Sequence, residues 1–119
     1  MPIVGIYCTS VTQEMREPTF LVLTALADMP RHGYAVIQEV ERLSGGLTKL
    51  RTGTLYAALD RLARDGLIQV AGEEIVGGRL RRYYELTASG RTVLDAESRR
   101  RSALSKEALR RLRVTGSLA

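Results

Sequence analysis

Between Arg51 and Thr87 the apolar pattern changes period once, and that change restricts the chain to few folds. Leu55, Leu59 and Leu62 recur at helical spacing and form one stripe along a helix. Thr52 stands where an N-cap belongs, and Gly66 where a helix ends in a left-handed turn. Past Gly66 the pattern becomes extended, with Leu67, Ile68 and Val70, a polar turn through Gly77-Gly78-Arg79, and then Tyr83-Tyr84-Glu85-Leu86. Alternation puts Tyr84 and Leu86 on the core side of that second strand, and Tyr83 and Glu85 outward. A helix followed by a tight ribbon with arginines at its tip is the plan of a winged helix-turn-helix. That plan points to duplex DNA.

The flanking segments complete the plan. Pro18 suits the first turn of a helix, where its missing N–H is no loss. The run from Phe20 to Ala27 is apolar nearly all round, as in a helix at the centre of a core or at a subunit interface, and Met29-Pro30 closes it. The turn Arg31-His32-Gly33 leads to a second helix from about Tyr34 to Leu43, with Val36, Val40 and Leu43 inward, stopped by Ser44-Gly45-Gly46. An extended piece, Leu47 to Leu50, feeds the third helix from about Gly53 to Asp65. Thr87 caps a last helix running to about Arg113, whose apolar residues (Val93, Leu94, Ala96, Leu104, Ala108, Leu109, Leu112) make an incomplete stripe. A helix that long has too little of its own domain to lie against, so it reads as a dimerisation helix. The expected fold is mainly α with a small β-hairpin, a winged helix-turn-helix plus a C-terminal dimerisation helix. The expected divisions are an N-terminal arm (1–16), the winged-helix domain (17–87), the dimerisation helix (88–113) and a flexible tail (114–119).

Charge is unevenly placed along the 119 residues, whose net charge is +5. Residues 49–82 carry +3 and residues 99–119 carry +6, whereas residues 1–48 and 83–98 each carry −2. Two basic regions of this kind are the footprint of a protein that neutralises phosphates; for the C-terminal one, a merely solvated surface is the equal alternative. One cysteine, Cys8, and one histidine, His32, allow neither an internal disulfide nor a Cys/His metal cluster. Cys8 reads as a small apolar residue and His32 as a hydrogen-bonded turn residue. No apolar run approaches membrane-spanning length and no signal peptide opens the chain, so a cytoplasmic protein without cofactor or metal is expected. No nucleophile motif, phosphate loop or paired carboxylates mark an enzyme.

The third helix is the candidate recognition helix. With its leucine stripe inward, Thr54, Ala57, Arg61 and Arg64 lie opposite, with Gly53 and Tyr56 near the N-terminal end that enters a major groove. Gly53 and Thr54 permit close approach, Thr52, Thr54 and Tyr56 offer hydroxyls to phosphates or base edges, and Lys49 and Arg51 are placed for phosphates. Tyr56 is alternatively a core aromatic, and Arg61 alternatively pairs with a neighbouring carboxylate. At the ribbon, the glycine turn with Arg79 and Arg81 suits the minor groove or flanking phosphates, a flexible surface hairpin being the alternative. Phe20, Leu23, Leu94, Leu104, Ala108 and Leu112 are the candidate dimer contacts. Across that axis the arginines at 99–101 repel unless Glu97 or Glu107 offsets them.

Five segments resemble the PadR family of bacterial transcriptional regulators: P-T-F-L-V-L-T-A-L at Pro18–Leu26, H-G-Y-A-V at His32–Val36, G-T-L-Y-A-A-L-D-R-L at Gly53–Leu62, D-G-L-I at Asp65–Ile68 and R-R-Y-Y-E-L-T-A-S-G at Arg81–Gly90. The resemblance implies a homodimer whose winged helices bind a palindromic operator, usually as a repressor, and whose C-terminal helical region forms the interface. Members of the family respond to phenolic acids, to multidrug-like aromatics or to no known small molecule, so the resemblance leaves open both the existence and the identity of a small-molecule effector near that interface. With 29 residues after Gly90, the chain is similar to the short class with a single C-terminal helix. One Phe and no Trp leave little for a stacked aromatic-drug pore. The alternative from another class is a protein-interaction module whose winged helix binds a protein and whose basic tail binds acidic partners.

Overall fold

α1 (Glu17–Ala25) has apolar residues on nearly every side, and four of its nine residues, Leu21, Val22, Leu23 and Ala25, are buried. A short helix of that kind is stable only where neighbours cover it from several directions. The computed structural model describes residues 14–118, with side chains to residue 114. The elements that surround α1 follow in the order β1 (Arg31–His32), α2 (Gly33–Leu43), α3 (Thr52–Arg64), β2 (Ile68–Val76), β3 (Arg79–Leu86) and α4 (Ala88–Leu118). Val36 and Val40 from α2, Leu55, Leu59 and Leu62 from α3, and Ile68, Tyr84 and Leu86 from the sheet close one core with the α1 residues. Pro18 lies in the first turn of α1. The last carbonyl of that helix and one in the turn after it are met by arginines from two other elements. Arg31 Nε donates to the Ala25 carbonyl at 2.7 Å, and Arg91 Nη1 to the Ala27 carbonyl at 3.1 Å.

The sheet has three strands where the sequence suggested two. Its order is β1-β3-β2, all antiparallel, with Arg31 opposite Tyr84 and His32 opposite Tyr83. A two-residue strand carries no period to read. β2 and β3 pair from Ile68↔Leu86 out to Val76↔Arg79, with one register shift between Val70 and Gly72. Both strands therefore run further from the core than the apolar residues alone indicated. Gly77 and Gly78 close the hairpin at φ 59° and 78°, a two-residue turn that favours glycine. Tyr84 and Leu86 face the core as alternation requires.

Several local details differ from expectation. Thr52 lies inside α3, and the N-cap is Arg51, in extended backbone without a side-chain cap bond. Leu43 of α2, expected inward, is exposed, and the piece from Leu47 to Leu50 that feeds α3 is a loop. α4 continues past Arg113 to Leu118, through most of the segment expected to be a flexible tail. Residues 1–13 of the expected N-terminal arm, Cys8 among them, lie outside the described residues.

The junction of α3, β2 and α4 is tight. Gly66 ends α3 at φ 76°. Thr87 Oγ1 donates to the Gly66 carbonyl at 2.6 Å and accepts from the Gly90 N–H at 3.0 Å, while the Thr87 N–H donates to the Leu67 carbonyl at 3.0 Å. Thr87 thus caps α4 as expected and ties it to the end of α3. Val93 and Leu94 of α4 then pack towards the domain, and Arg101 stacks over the Phe20 ring 4.4 Å from its centroid. Arg101 also donates to the Met15 carbonyl at 2.6 Å. Beyond this, Leu104, Leu109, Leu112 and Val114 are exposed, and the molecule measures 64 × 42 × 22 Å.

Candidate nucleic-acid interface

Because Leu55, Leu59 and Leu62 bind α3 to the core, its other side is open. Thr52, Gly53, Thr54, Tyr56, Ala57, Arg61 and Arg64 are all exposed. The start of α3 has no side-chain cap, so its first-turn amides offer N–H groups to an anion, reinforced by the positive end of the helix dipole. Lys49 and Arg51 immediately precede it and are exposed. Tyr56 is 43% exposed. The hydroxyl end of its ring lies so close to Gly33, in the first turn of α2, that a β-carbon there would meet the phenol. Tyr56 is therefore neither buried in the core nor free. Its hydroxyl end rests against a glycine on the neighbouring helix.

The wing is built differently from the arginine cluster the sequence suggested. Glu73 of β2 holds Arg82 of β3 at 2.8 Å, and Glu74 approaches Arg81 at 3.9 Å and accepts a hydrogen bond from the Tyr83 hydroxyl at 2.5 Å. Arg81, expected to contact DNA from the wing, thus also has an ion-pair partner on the hairpin flank. The signal was in the sequence: positions 73 and 82, and 74 and 81, are equidistant from the Gly77-Gly78 turn. Arg79 is exposed and has no ion-pair partner among the described residues. The same holds for Lys49, Arg51, Arg61 and Arg64, and Arg61 leaves both Asp60 and Asp65 unpaired.

Five arginines of the other basic region are paired within their own helix, although two glutamates serve two arginines each and the helix keeps a net positive charge. Arg99 pairs with Asp95 at 3.0 Å, Arg100 and Arg101 share Glu97 at 2.8 and 2.7 Å, and Arg110 and Arg111 share Glu107 at 2.8 and 2.7 Å. The hydrogen bond from Arg100 leads in holding the Glu97 carboxyl below its ordinary range, with Arg101 adding to it; Arg110 and then Arg111 do the same for Glu107. Of the two glutamates expected to offset the arginines at 99–101, Glu97 pairs with Arg100 and Arg101, whereas Arg99 is paired by Asp95 and Glu107 serves Arg110 and Arg111. Around α3 and at the wing apex, by contrast, Lys49, Arg51, Arg61, Arg64 and Arg79 are each without an ion-pair partner among the described residues.

His32 links the two parts. Its Nδ1 accepts from the Ala35 N–H at 3.4 Å, capping α2, and its ring meets Tyr83 edge-on at 5.4 Å between centroids. Burial, and then the Arg81 charge, push the imidazole below its usual 6.5, with Glu74 opposing. Tyr34, on the exposed side of α2, was not singled out by sequence, because one aromatic on a polar helix face has no periodic signal. Of the candidate dimer residues, Leu23 is 0% exposed within the chain's own core and has no surface to offer, which corrects that assignment. Phe20 is half-buried beneath Arg101 and Leu94 packs against the core, whereas Leu104, Ala108 and Leu112 are exposed. Among the described residues no helix is long and apolar enough to cross a membrane, and no group of His, Cys, Asp and Glu is placed to hold a metal ion.

Comparison with known proteins places this arrangement. The model of the transcriptional regulator PadR-like family matches residues 22–96. The transcriptional regulator Rv3488 of Mycobacterium tuberculosis is 38% identical over 88 residues, which cover 74% of this chain and 78% of that one. An uncharacterised 37.1 kDa protein in transposon TN4556 of Streptomyces fradiae is 42% identical over 85 residues, 71% of this chain but only 23% of that much longer protein. In structure, Bacillus subtilis PadR in complex with operator DNA is similar with a TM-score of 0.61 at 23% identity, over 68% of this chain and 47% of that one, a likeness of fold. The chain belongs to the PadR-like family of transcriptional regulators, proteins that are not enzymes.

Proposed function

We propose that this regulator binds a specific duplex sequence as a homodimer, with α3 in the major groove and the wing beside it. The observation that carries the reading is the division of charge. Lys49, Arg51, Arg61, Arg64 and Arg79 have no ion-pair partner among the described residues, while five arginines of α4 are held in ion pairs along their own helix. Unmatched cations beside uncapped helix amides suit a polyanion, and the exposed Thr54 and Tyr56 suit base edges. Gly53, Thr52 and Thr54 let the helix approach closely.

The dimer is supported by α4. Leu104, Ala108 and Leu112 fall at i, i+4 and i+8 and continue the face that Val93 and Leu94 begin against the domain. Pairing with a second copy covers that stripe and supplies the two-fold symmetry of a palindromic operator. Repression, and release by a small ligand near the dimer interface, rest on the family alone. The experiment is a selection of bound fragments from random-sequence duplex, followed by titration at several salt concentrations. Specific DNA binding predicts an enriched palindrome and a log–log salt slope of about −0.9 per neutralised phosphate. No enrichment, with affinity indifferent to salt, rejects it.

A further inference from the structure

The wing tip carries an apolar pair that its own domain does not use. Ile68, Tyr84 and Leu86 are buried, whereas every residue from Gln69 through Leu80 is exposed. At ~3.3 Å per residue the ribbon from Gly72 to Val76 reaches roughly 15 Å beyond the core. Ile75 and Leu80 are cross-strand partners on one face, 75% and 60% exposed. Behind them Glu73–Arg82 and Glu74–Arg81 form a collar in which each carboxylate is matched. Ahead of them are the exposed, unpaired Arg79 and an apex of two glycines that adds no side-chain bulk.

We propose that Ile75 and Leu80 form an apolar wedge that enters the minor groove beside the α3 contact and deforms the duplex there, with Arg79 meeting groove acceptors or phosphates. The inference rests on the DNA-binding reading above and adds a mechanism to it. Aliphatic side chains pressed against base steps, accompanied by arginine, are how minor-groove proteins unstack and bend DNA. The only unmatched charge at this tip is positive, and the glutamates that phosphates would repel are neutralised in the collar. The wing is also held to the reading head: β3 pairs with β1, whose His32 caps α2, on which Tyr56 of α3 rests. Sequence preference at the wing then comes from how easily a step is deformed, with flexible pyrimidine–purine steps favoured and no base hydrogen bond required.

The test uses the full chain, a duplex recovered by selection from random-sequence DNA, and donor and acceptor dyes on its two ends. The Ile75→Thr/Leu80→Thr variant keeps strand-forming residues on the exposed tip. The parent is expected to shorten the end-to-end distance. The variant should lose the bend and about ten-fold in affinity, the scale of burying one aliphatic side chain, at an unchanged salt slope. Arg79→Ala should instead lower the slope by about 0.9. A double variant with parental affinity and parental energy transfer overturns the wedge, as does a parent that binds tightly yet leaves the duplex straight. A variant whose DNA binding is intact but whose mass in solution drops also overturns it, making a second copy the occupant. A parent that binds no duplex at all rejects the DNA-binding reading itself, a result distinct from these.

Discussion

The phenol of Tyr56 lies across Gly33 so closely that a β-carbon at position 33 would run into it. This places the glycine of the His32-Gly33-Tyr34 turn directly under a side chain of α3. Because Tyr56 is 43% exposed, its ring has room to swing away. Replacing Gly33 with Ala should cost about 1 kcal/mol of stability in urea unfolding, the low end for overpacking. In a Tyr56→Ala background the same change should cost almost nothing, a coupling of at least ~0.5 kcal/mol in the double-mutant cycle. Strictly additive costs would mean that the two residues do not bear on each other in solution.

Gly90 is a harder constraint. A β-carbon there would strike the Leu67 carbonyl, which is backbone and has nowhere to rotate. Gly90→Ala should therefore destabilise by about 3 kcal/mol, moving α4 off the β2 junction. Thr87→Ala, which removes the cap and the bond to Gly66, should cost about 1–2 kcal/mol. Thermal unfolding ranks the two, and a silent Gly90→Ala would show that α4 docks more loosely than described.

The arginines should separate into two classes in a salt titration. Arg51→Ala, Arg61→Ala and Arg79→Ala should each lower the slope by about 0.9 where the lost contact is one phosphate. Arg81→Ala should lower it less, because Arg81 also serves Glu74. Arg99→Ala, on the far helix and paired with Asp95, should leave it unchanged. If Arg99→Ala lowers the slope as much as Arg79→Ala, α4 takes part in the DNA contact.

Stability should fall on mild acidification because of His32. Its imidazole is held below 6.5, mainly by burial and then by Arg81, so the unfolded chain takes up the proton first as pH falls. The contribution is fully present above about pH 6.5 and is lost as pH drops through the lower folded value. Protonation also removes the Nδ1 acceptor that caps α2. Melting temperatures from pH 8 to 5 should show the decline, and His32→Asn, a cap that does not titrate, should flatten it. A parent profile already flat over that range would show that His32 does not couple to folding.

Truncation after Ser105 tests the dimer without disturbing the domain, since it keeps Arg101 on Phe20 and removes Ala108 and Leu112. Light scattering at micromolar concentration should report a dimer for the full chain and a monomer for the truncated one. The monomer should bind one half-site weakly. A truncated chain that stays a tight dimer would put the interface on the winged-helix domain.

Much of the molecule is determined by local pattern. The leucine stripe of α3, the alternation in Tyr83-Tyr84-Glu85-Leu86, the Gly66 stop and the Thr87 cap each depend on residues close in sequence, and so read directly from it. The positions of Lys49, Arg51, Thr54 and Arg79 on exposed surface follow from the same periodicity. What only the tertiary structure decided involves partners distant in the chain. β1 is a strand only because β3 is there to accept it. Leu23 is core, not interface, because four other elements close over α1. The pairing of Glu74 with Arg81 was open to reading from the Gly77-Gly78 turn, but the bonds from Arg91 to the Ala27 carbonyl and from Arg101 to the Met15 carbonyl needed the packed helices. Charge at a surface is set by such pairings, which depend on how strands register and helices turn, and composition does not record them.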